Sequence, residues 1–506
     1  MRRDPLQPIL RKLAEPLLMS VTLVEWLLLG SGVGALVGVA VTFFLRLLLG
    51  SIDVTSRWPT AWFALVLPLG GLVAGLAIHY GAPDAAGHGT EAVIRAVHRR
   101  SGRIDWKVAP IKALASVATM AAGGSAGKEG PSAQIGASIA SALADLLHFS
   151  PAYRKKIVIC GIGAGFAAVF GTPIAGAVLG IEVLAIGEIM YEMLVPSFAS
   201  AFVAYWTAHA LGLTWPYPTF AWSLPLSLPL FIRFVVLGVL AGLVGLLFVQ
   251  LLYGINRFTA GLKRRRHIWP PLFPTAAGVV LFAFVLLAGR SYMNLSLPLL
   301  YHALGGQAVA GDAFLWKIVF VSVTLGAGMS GGIITPLFVV GATFGAVAAG
   351  PLGLPSALGA EAGMVAVTAA GANAPLAAIM LGVELFGVGP SAYFMAAAIP
   401  AFIIIGNHSV YPSQRLALQK SPLVPVQVGG YLEDTEELPL ALPFAGSVSR
   451  VRALLARFAS PLARGEQSSL RGVEGAERVG PEARPAKGAE PDGASRHRGM
   501  GDRRKP

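Results

Sequence analysis

Gly123-Gly-Ser-Ala-Gly-Lys-Glu-Gly-Pro-Ser-Ala-Gln-Ile-Gly136 sets a single carboxylate, Glu129, in a stretch of small and apolar residues. An ionisable group inside a membrane span costs several kcal/mol unless it faces a cavity or a partner, so Glu129 marks a functional site. Around it, Gly127-Lys-Glu-Gly-Pro131 has the pattern of a helix start, with glycines permitting close backbone approach and Pro131 in the first turn.

The rest of the chain says which solvent surrounds that helix. Of 506 residues, 55% are hydrophobic and only 13% charged, with a mean hydropathy of +0.67. Charged residues alone make up about a quarter of an ordinary soluble domain, so the composition is that of an all-α polytopic membrane protein. Stretches long enough to cross roughly 30 Å of hydrocarbon run over Val21 to Leu49, Trp62 to Ile78, Phe231 to Leu252 and Leu272 to Leu287. Other apolar runs are shorter and broken by Gly or Pro, which is tolerated at membrane depth only around protein or a water-filled cavity. They predict partial helices lining a pathway.

The net charge of +13 gathers at membrane-flanking places: Arg2, Arg3, Arg11 and Lys12, then His98 to Arg100, then Lys263 to Arg266, then the tail. That pattern follows the positive-inside rule and argues against a nucleic-acid partner. It predicts an inner-membrane, multi-pass protein with both termini cytoplasmic. A single cysteine, Cys160, excludes an internal disulfide framework or a cysteine-based metal cluster, and no cofactor is implied. No His-Glu-x-x-His motif or nucleophile-plus-base arrangement suggests an enzyme.

The chain repeats itself. Ser125 to Pro131 lies over Ser330 to Pro336, and Gly171 to Leu184 lies over Asn373 to Phe386. The expected organisation is a leader over 1–19, a first membrane repeat over 20–212, a linker over 213–228, a second repeat over 229–420, and a basic, mostly disordered tail over 421–506. Gly331-Gly-Ile-Ile-Thr-Pro336 then mirrors the Glu129 segment, and Gly87-His-Gly-Thr90 offers a further helix start without the proline. A helix N-terminus carries about half a positive charge and unpaired amide donors, so several converging starts imply an anion as cargo. A cation site would want more carboxylates than the membrane part offers, which leaves a cation transporter as a remote alternative.

Gly127-Lys-Glu-Gly-Pro131, Gly331-Gly-Ile-Ile-Thr-Pro336, the opening at Gly87 and the late Tyr411, in this order, resemble the CLC family of chloride channels and proton-coupled chloride transporters. The resemblance covers about residues 20–420. It implies a homodimer in the lipid bilayer with one anion pathway per subunit, built from two inverted repeats of tilted and partial helices. Glu129 resembles the gating glutamate that occupies the anion path. His88, Gly89, Gly130, Ile333, Ile334 and Tyr411 resemble the anion-binding set, with the amides of Ile333 and Ile334 and the Tyr411 hydroxyl as donors. Gly127, Lys128, Pro131, Gly331, Gly332 and Pro336 carry the helix-start motifs, and no metal ligand is implied.

Three departures shape the expected function. The family's opening motif is Gly-Ser-Gly-Ile-Pro, and here it reads Gly87-His-Gly-Thr-Glu91. His88 thus replaces a serine, which leaves chloride, fluoride and nitrate open as cargo. The proton-relay glutamate of the family's antiporters falls at Val183, and Glu182 with its counterpart Glu384 reads as a buried structural pair. After Gln419 the family's nucleotide-binding modules are not expected. The leading expectation is chloride movement gated by Glu129, passive or weakly coupled to protons. Proton/anion antiport by an atypical path is the alternative.

Overall fold

The computed structural model describes residues 7–434, apart from 422 and 425, with side chains from Ala14 onward. Sixteen α-helices among the described residues fall into two series of the same order. The first is α1 (Gln7–Ser56), α2 (Phe63–Leu76), α3 (Thr90–Arg99), α4 (Val108–Ala121), α5 (Glu129–Leu146), α6 (Pro151–Phe170), α7 (Pro173–Glu182) and α8 (Leu194–Ala210). The second is α9 (Leu228–Arg266), α10 (Leu272–Ala288), α11 (Leu297–Leu304), α12 (Ala313–Gly326), α13 (Ile334–Ala349), α14 (Ser356–Ala372), α15 (Pro375–Phe386) and α16 (Ser391–Ile404). Two-residue strands, β1 (Ala185–Ile186) and β2 (Arg415–Leu416), pair in parallel and tie the end of the second series to the first.

Among the described residues, three helical segments are long and apolar enough to cross a membrane: Ala14–Ser56, Thr60–Gly81 and Leu228–Arg266. They contain the first three stretches expected from hydropathy, whereas α10, the fourth, has 17 residues. The expected leader over 1–19 joins the first span directly, since α1 is one helix from Gln7 onward; residues 1–6 lie outside the described residues. The linker has no helix or strand from 213 to 227. Of the stretch read as tail from 421, residues 431–434 pair with the rest: Arg99 meets Glu433 and Asp434, each at 2.7 Å. The tail beyond 434, with its expected disorder, lies outside the described residues.

The two halves are joined by reciprocal contacts. The Gly127 amide donates to the Gly332 carbonyl at 2.7 Å, and the Gly332 amide returns the bond to Gly127 at 2.6 Å. Thr324 Oγ1 accepts from the Ser125 amide at 3.1 Å, and Thr119 Oγ1 accepts from the Ser330 amide at 3.1 Å. Each member of such a pair occupies the same place in its own half, so a local two-fold axis passes between Gly127 and Gly332.

The same exchange explains Glu182 and Glu384. Glu182 accepts from the Leu376 and Ala377 amides at 3.1 and 2.7 Å, and Glu384 accepts from the Ile174 and Ala175 amides at 2.9 and 2.6 Å. Both α7 and α15 begin with proline and leave first-turn amides free, and each is capped by the carboxylate at the far end of the other. The two glutamates pair as expected, with Glu182 buried and Glu384 only half-buried.

Helices α5, α6, α13 and α14 form the interior and are buried along most of their length. Glycine contacts let them approach: a side chain at Gly136 would meet the backbone of Gly161, and one at Gly341 the backbone of Gly363. Outside, large apolar side chains such as Phe43, Leu65, Leu243 and Val279 are exposed, a surface suited to lipid rather than water. Cys160 is free and buried in α6, as a small core residue.

Candidate anion pathway

Three helix starts converge at the centre. Gly89 caps α3 at φ +84°, in the left-handed region that glycine tolerates, and sits against the carbonyl of Gly130 in the first turn of α5. Gly130 in turn lies against the carbonyl of His88 and near Gly332, just before α13. Any side chain at Gly89 or Gly130 would collide with backbone, so this convergence depends on glycine. Pro131 and Pro336 are buried in the first turns of α5 and α13, and Gly331 packs on Ala126.

Glu129 is fully buried and crosses from the first half to the second. Its Oε2 accepts from the Thr335 amide at 3.0 Å, and its Oε1 accepts a short bond from the Thr335 hydroxyl. The carboxylate therefore sits at the N-terminus of α13, where free amides and the helix dipole favour a negative charge. Gly127 has no side chain to obstruct it. Lys128, next in sequence, is buried and interacts electrostatically with Glu129.

A second feature lies at the start of α3. His88 Nδ1, Thr90 Oγ1 and Tyr411 OH are all buried and make no hydrogen bond of ordinary geometry, although Thr90 and Tyr411 are close enough to interact. Buried polar atoms are nearly always satisfied, so three unpaired ones gathered at one helix start stand out. The His88 ring stands edge-on to Tyr253, with centroids 6.5 Å apart. Tyr253 OH donates to the Val410 carbonyl at 2.8 Å, fixing the turn before Tyr411.

Buried lysines support both loops. Lys112 Nζ on α4 donates to the carbonyls of Ala85 and Gly87 at 3.1 and 2.6 Å. Lys317, its counterpart on α12, donates to Ser125 Oγ and Ser296 Oγ, each at 2.8 Å, and to the Asn294 carbonyl at 3.2 Å. Neither makes an ion pair among the described residues, and each holds its loop through the hydrogen bonds it donates.

A family model described as voltage gated chloride channel matches residues 70–406. The chain belongs to the voltage-gated chloride channel family. A relative named chloride/fluoride channel protein, from Pseudomonas syringae pv. tomato, is 34% identical over 406 residues, covering 78% of this chain and 87% of the relative. The voltage-gated ClC-type chloride channel ClcB of Escherichia coli is 29% identical over 392 residues, covering 72% and 85%. Among solved structures, a CLC-type fluoride/proton antiporter superposes with a TM-score of 0.73 at 30% identity, covering 78% of this chain and 98% of that one. A slow cyanobacterial Cl⁻/H⁺ antiporter superposes at 0.65 with 21% identity, covering 75% and 94%, which shows the shared fold.

The CLC fold is thus the fold of this chain, and the protein is an integral membrane anion transporter. The Glu129 carboxylate engages the amide of Thr335, one residue beyond the pair expected to hold the anion. Ile333 and Ile334 are buried at the same helix start, and their amides donate to no protein acceptor among the described residues. Val183 is buried with its carbonyl bonded to Gln414 Nε2 at 2.9 Å, and it brings no carboxylate to that position. Thr335 and Thr90 stand inside the helix-start motifs but carried no expected role of their own, and the two lysines were not singled out in the sequence. For the lysines a signal existed, since the offset that aligns Gly127 with Gly332 also aligns Lys112 with Lys317.

Proposed function

We propose that the protein moves small anions along a path through the joined starts of α3, α5 and α13, with the Glu129 carboxylate as its gate. The observation that carries this reading is the docking of that carboxylate on the Thr335 amide and hydroxyl. An anionic side chain already fills an anion position, so a permeant anion must compete with it or wait for its protonation. His88, Tyr411 and the Ile333 and Ile334 amides are the donors that would hold the anion, and the buried, unpaired hydroxyl of Thr90 supports adding it to them. Each subunit would carry its own path in a homodimer of the inner membrane, with both termini cytoplasmic. Exposed Ile174, Phe202, Leu376, Ile399 and Ile403 on α7, α8, α15 and α16 offer an apolar face for the second copy.

The test is efflux from liposomes carrying the purified protein, with chloride and fluoride measured in parallel at two pH values. Wild-type flux should rise as pH falls, because protonation removes the charge that holds Glu129 in place. Glu129→Gln should be fast at both pH values. An unchanged pH profile in Glu129→Gln would remove Glu129 from the gate, and currents that follow sodium or potassium would remove the anion reading altogether.

Proton-coupled exchange, with fluoride as a cargo, is the second reading. It is favoured by the unpaired hydroxyl and imidazole donors, which suit a small, strongly hydrogen-bonding anion. The names of two relatives, a chloride/fluoride channel and a fluoride/proton antiporter, point the same way.

A further inference from the structure

We propose that Glu91 is a second proton acceptor, passing protons between water at the exposed Arg95–Glu433 pair and the Glu129 gate by way of Tyr411. This rests on the proton-coupled reading above. A proton bound for Glu129, which has no exposed surface, needs exchangeable groups between it and water.

Glu91 lies in the first turn of α3, one residue after Thr90, with a side chain 10% exposed. It accepts from the Ser413 amide at 3.3 Å, from the Ser413 hydroxyl, and from Arg95 Nη2 at 3.0 Å. Ser413 follows Tyr411 by two residues, and the unpaired Tyr411 hydroxyl interacts electrostatically with both Glu129 and Glu91. A phenol that feels two carboxylates relays a proton by taking one up as it gives its own away, and not as a free phenolate. On the outer flank of Glu91, Arg95 is 46% exposed and also faces Glu433 at 3.7 Å. When Glu91 takes up a proton, Arg95 keeps a carboxylate partner, so neutralising Glu91 strands no buried guanidinium.

The other buried carboxylates lack this connection. Glu182 is taken up by the Leu376 and Ala377 amides, and Glu361 by the Trp222 indole at 2.9 Å. The charged and titratable groups facing Glu91 are Arg95 on its own helix, Tyr253 from α9, Tyr411 from the following loop and Glu433 from the C-terminal segment. His88, just ahead of α3, stands against the Tyr253 ring. The transfer moves one proton from water to the Glu91 carboxylate and on to Glu129, with one O–H bond formed at Tyr411 as its original O–H bond breaks, so that the phenol ends as it began.

Proteoliposomes with an imposed anion gradient provide the test, with anion efflux and proton uptake recorded together. Wild type should take up protons; Glu91→Gln should keep its anion efflux and lose proton uptake by at least about tenfold. Ser413→Ala, which loosens the same loop and leaves the carboxylate, should remain coupled. Persisting proton uptake in Glu91→Gln overturns this proposal alone. Equal loss in Ser413→Ala, or loss of anion efflux in Glu91→Gln, makes Glu91 a scaffold and also overturns it. A wild type that moves no protons overturns both this proposal and the coupled reading beneath it.

Discussion

Thr335 holds Glu129 with two groups that are separable by mutation, a backbone amide that every residue has and a hydroxyl that few have. Thr335→Val keeps the shape and the amide and removes the hydroxyl. A hydrogen bond to a charged group contributes about 1.5–3 kcal/mol, so the gate should yield to anions at a concentration at least about tenfold lower. Thr335→Ser should behave as wild type, and the half-maximal anion concentration for efflux reports both. If Thr335→Val leaves that concentration unchanged, the amide alone holds the gate. His88 makes a different prediction at the same scale. His88→Ser restores a small hydroxyl at the anion loop, and the fluoride-to-chloride flux ratio should change while the pH response set by Glu129 remains. An unchanged ratio would take His88 out of selectivity.

Among the helices, the exchanged caps on α7 and α15 are the clearest energetic link between the halves. Removing a helix N-terminal cap costs about 1 kcal/mol. Glu182→Ala and Glu384→Ala should each lower the melting temperature in detergent, while flux per folded molecule stays near wild type. Loss of proton coupling in Glu182→Ala with normal melting would assign it a transport role instead. That these two glutamates form a pair was legible from the repeat, because Gly and Pro at matching positions specify the same backbone twice. The helix starts at Gly127 and Gly331 were legible for the same reason, and the one at Gly87 from its glycines alone. What each carboxylate touches was not. The Thr335 hydroxyl meets Glu129 across 206 residues of chain, and a threonine after two isoleucines gives no local sign of that meeting. Glu91 likewise reads as an ordinary acidic residue in a first helical turn until Ser413, far along the chain, is brought beside it.

At the scale of the molecule, the halves hold each other through paired contacts: Gly127 with Gly332, Thr119 and Thr324 with the opposite serine amides, and the two glutamate caps. The covalent connection between them, residues 213–227, has no helix or strand of its own. It is fastened at separate points: Trp215 lies against Gly171, and Trp222 binds Glu361. A break between Pro218 and Thr219 would leave each tryptophan attached to one fragment. Two polypeptides made separately, 1–218 and 219–506, should then find one another in the membrane, copurify, and restore anion efflux that neither supports alone. Failure to copurify would mean that the covalent join, and not the two-fold exchange of contacts, keeps the pathway closed around its anion. Success would make the protein a heterodimer of its own halves, with the peptide linker serving only to guarantee equal numbers of each.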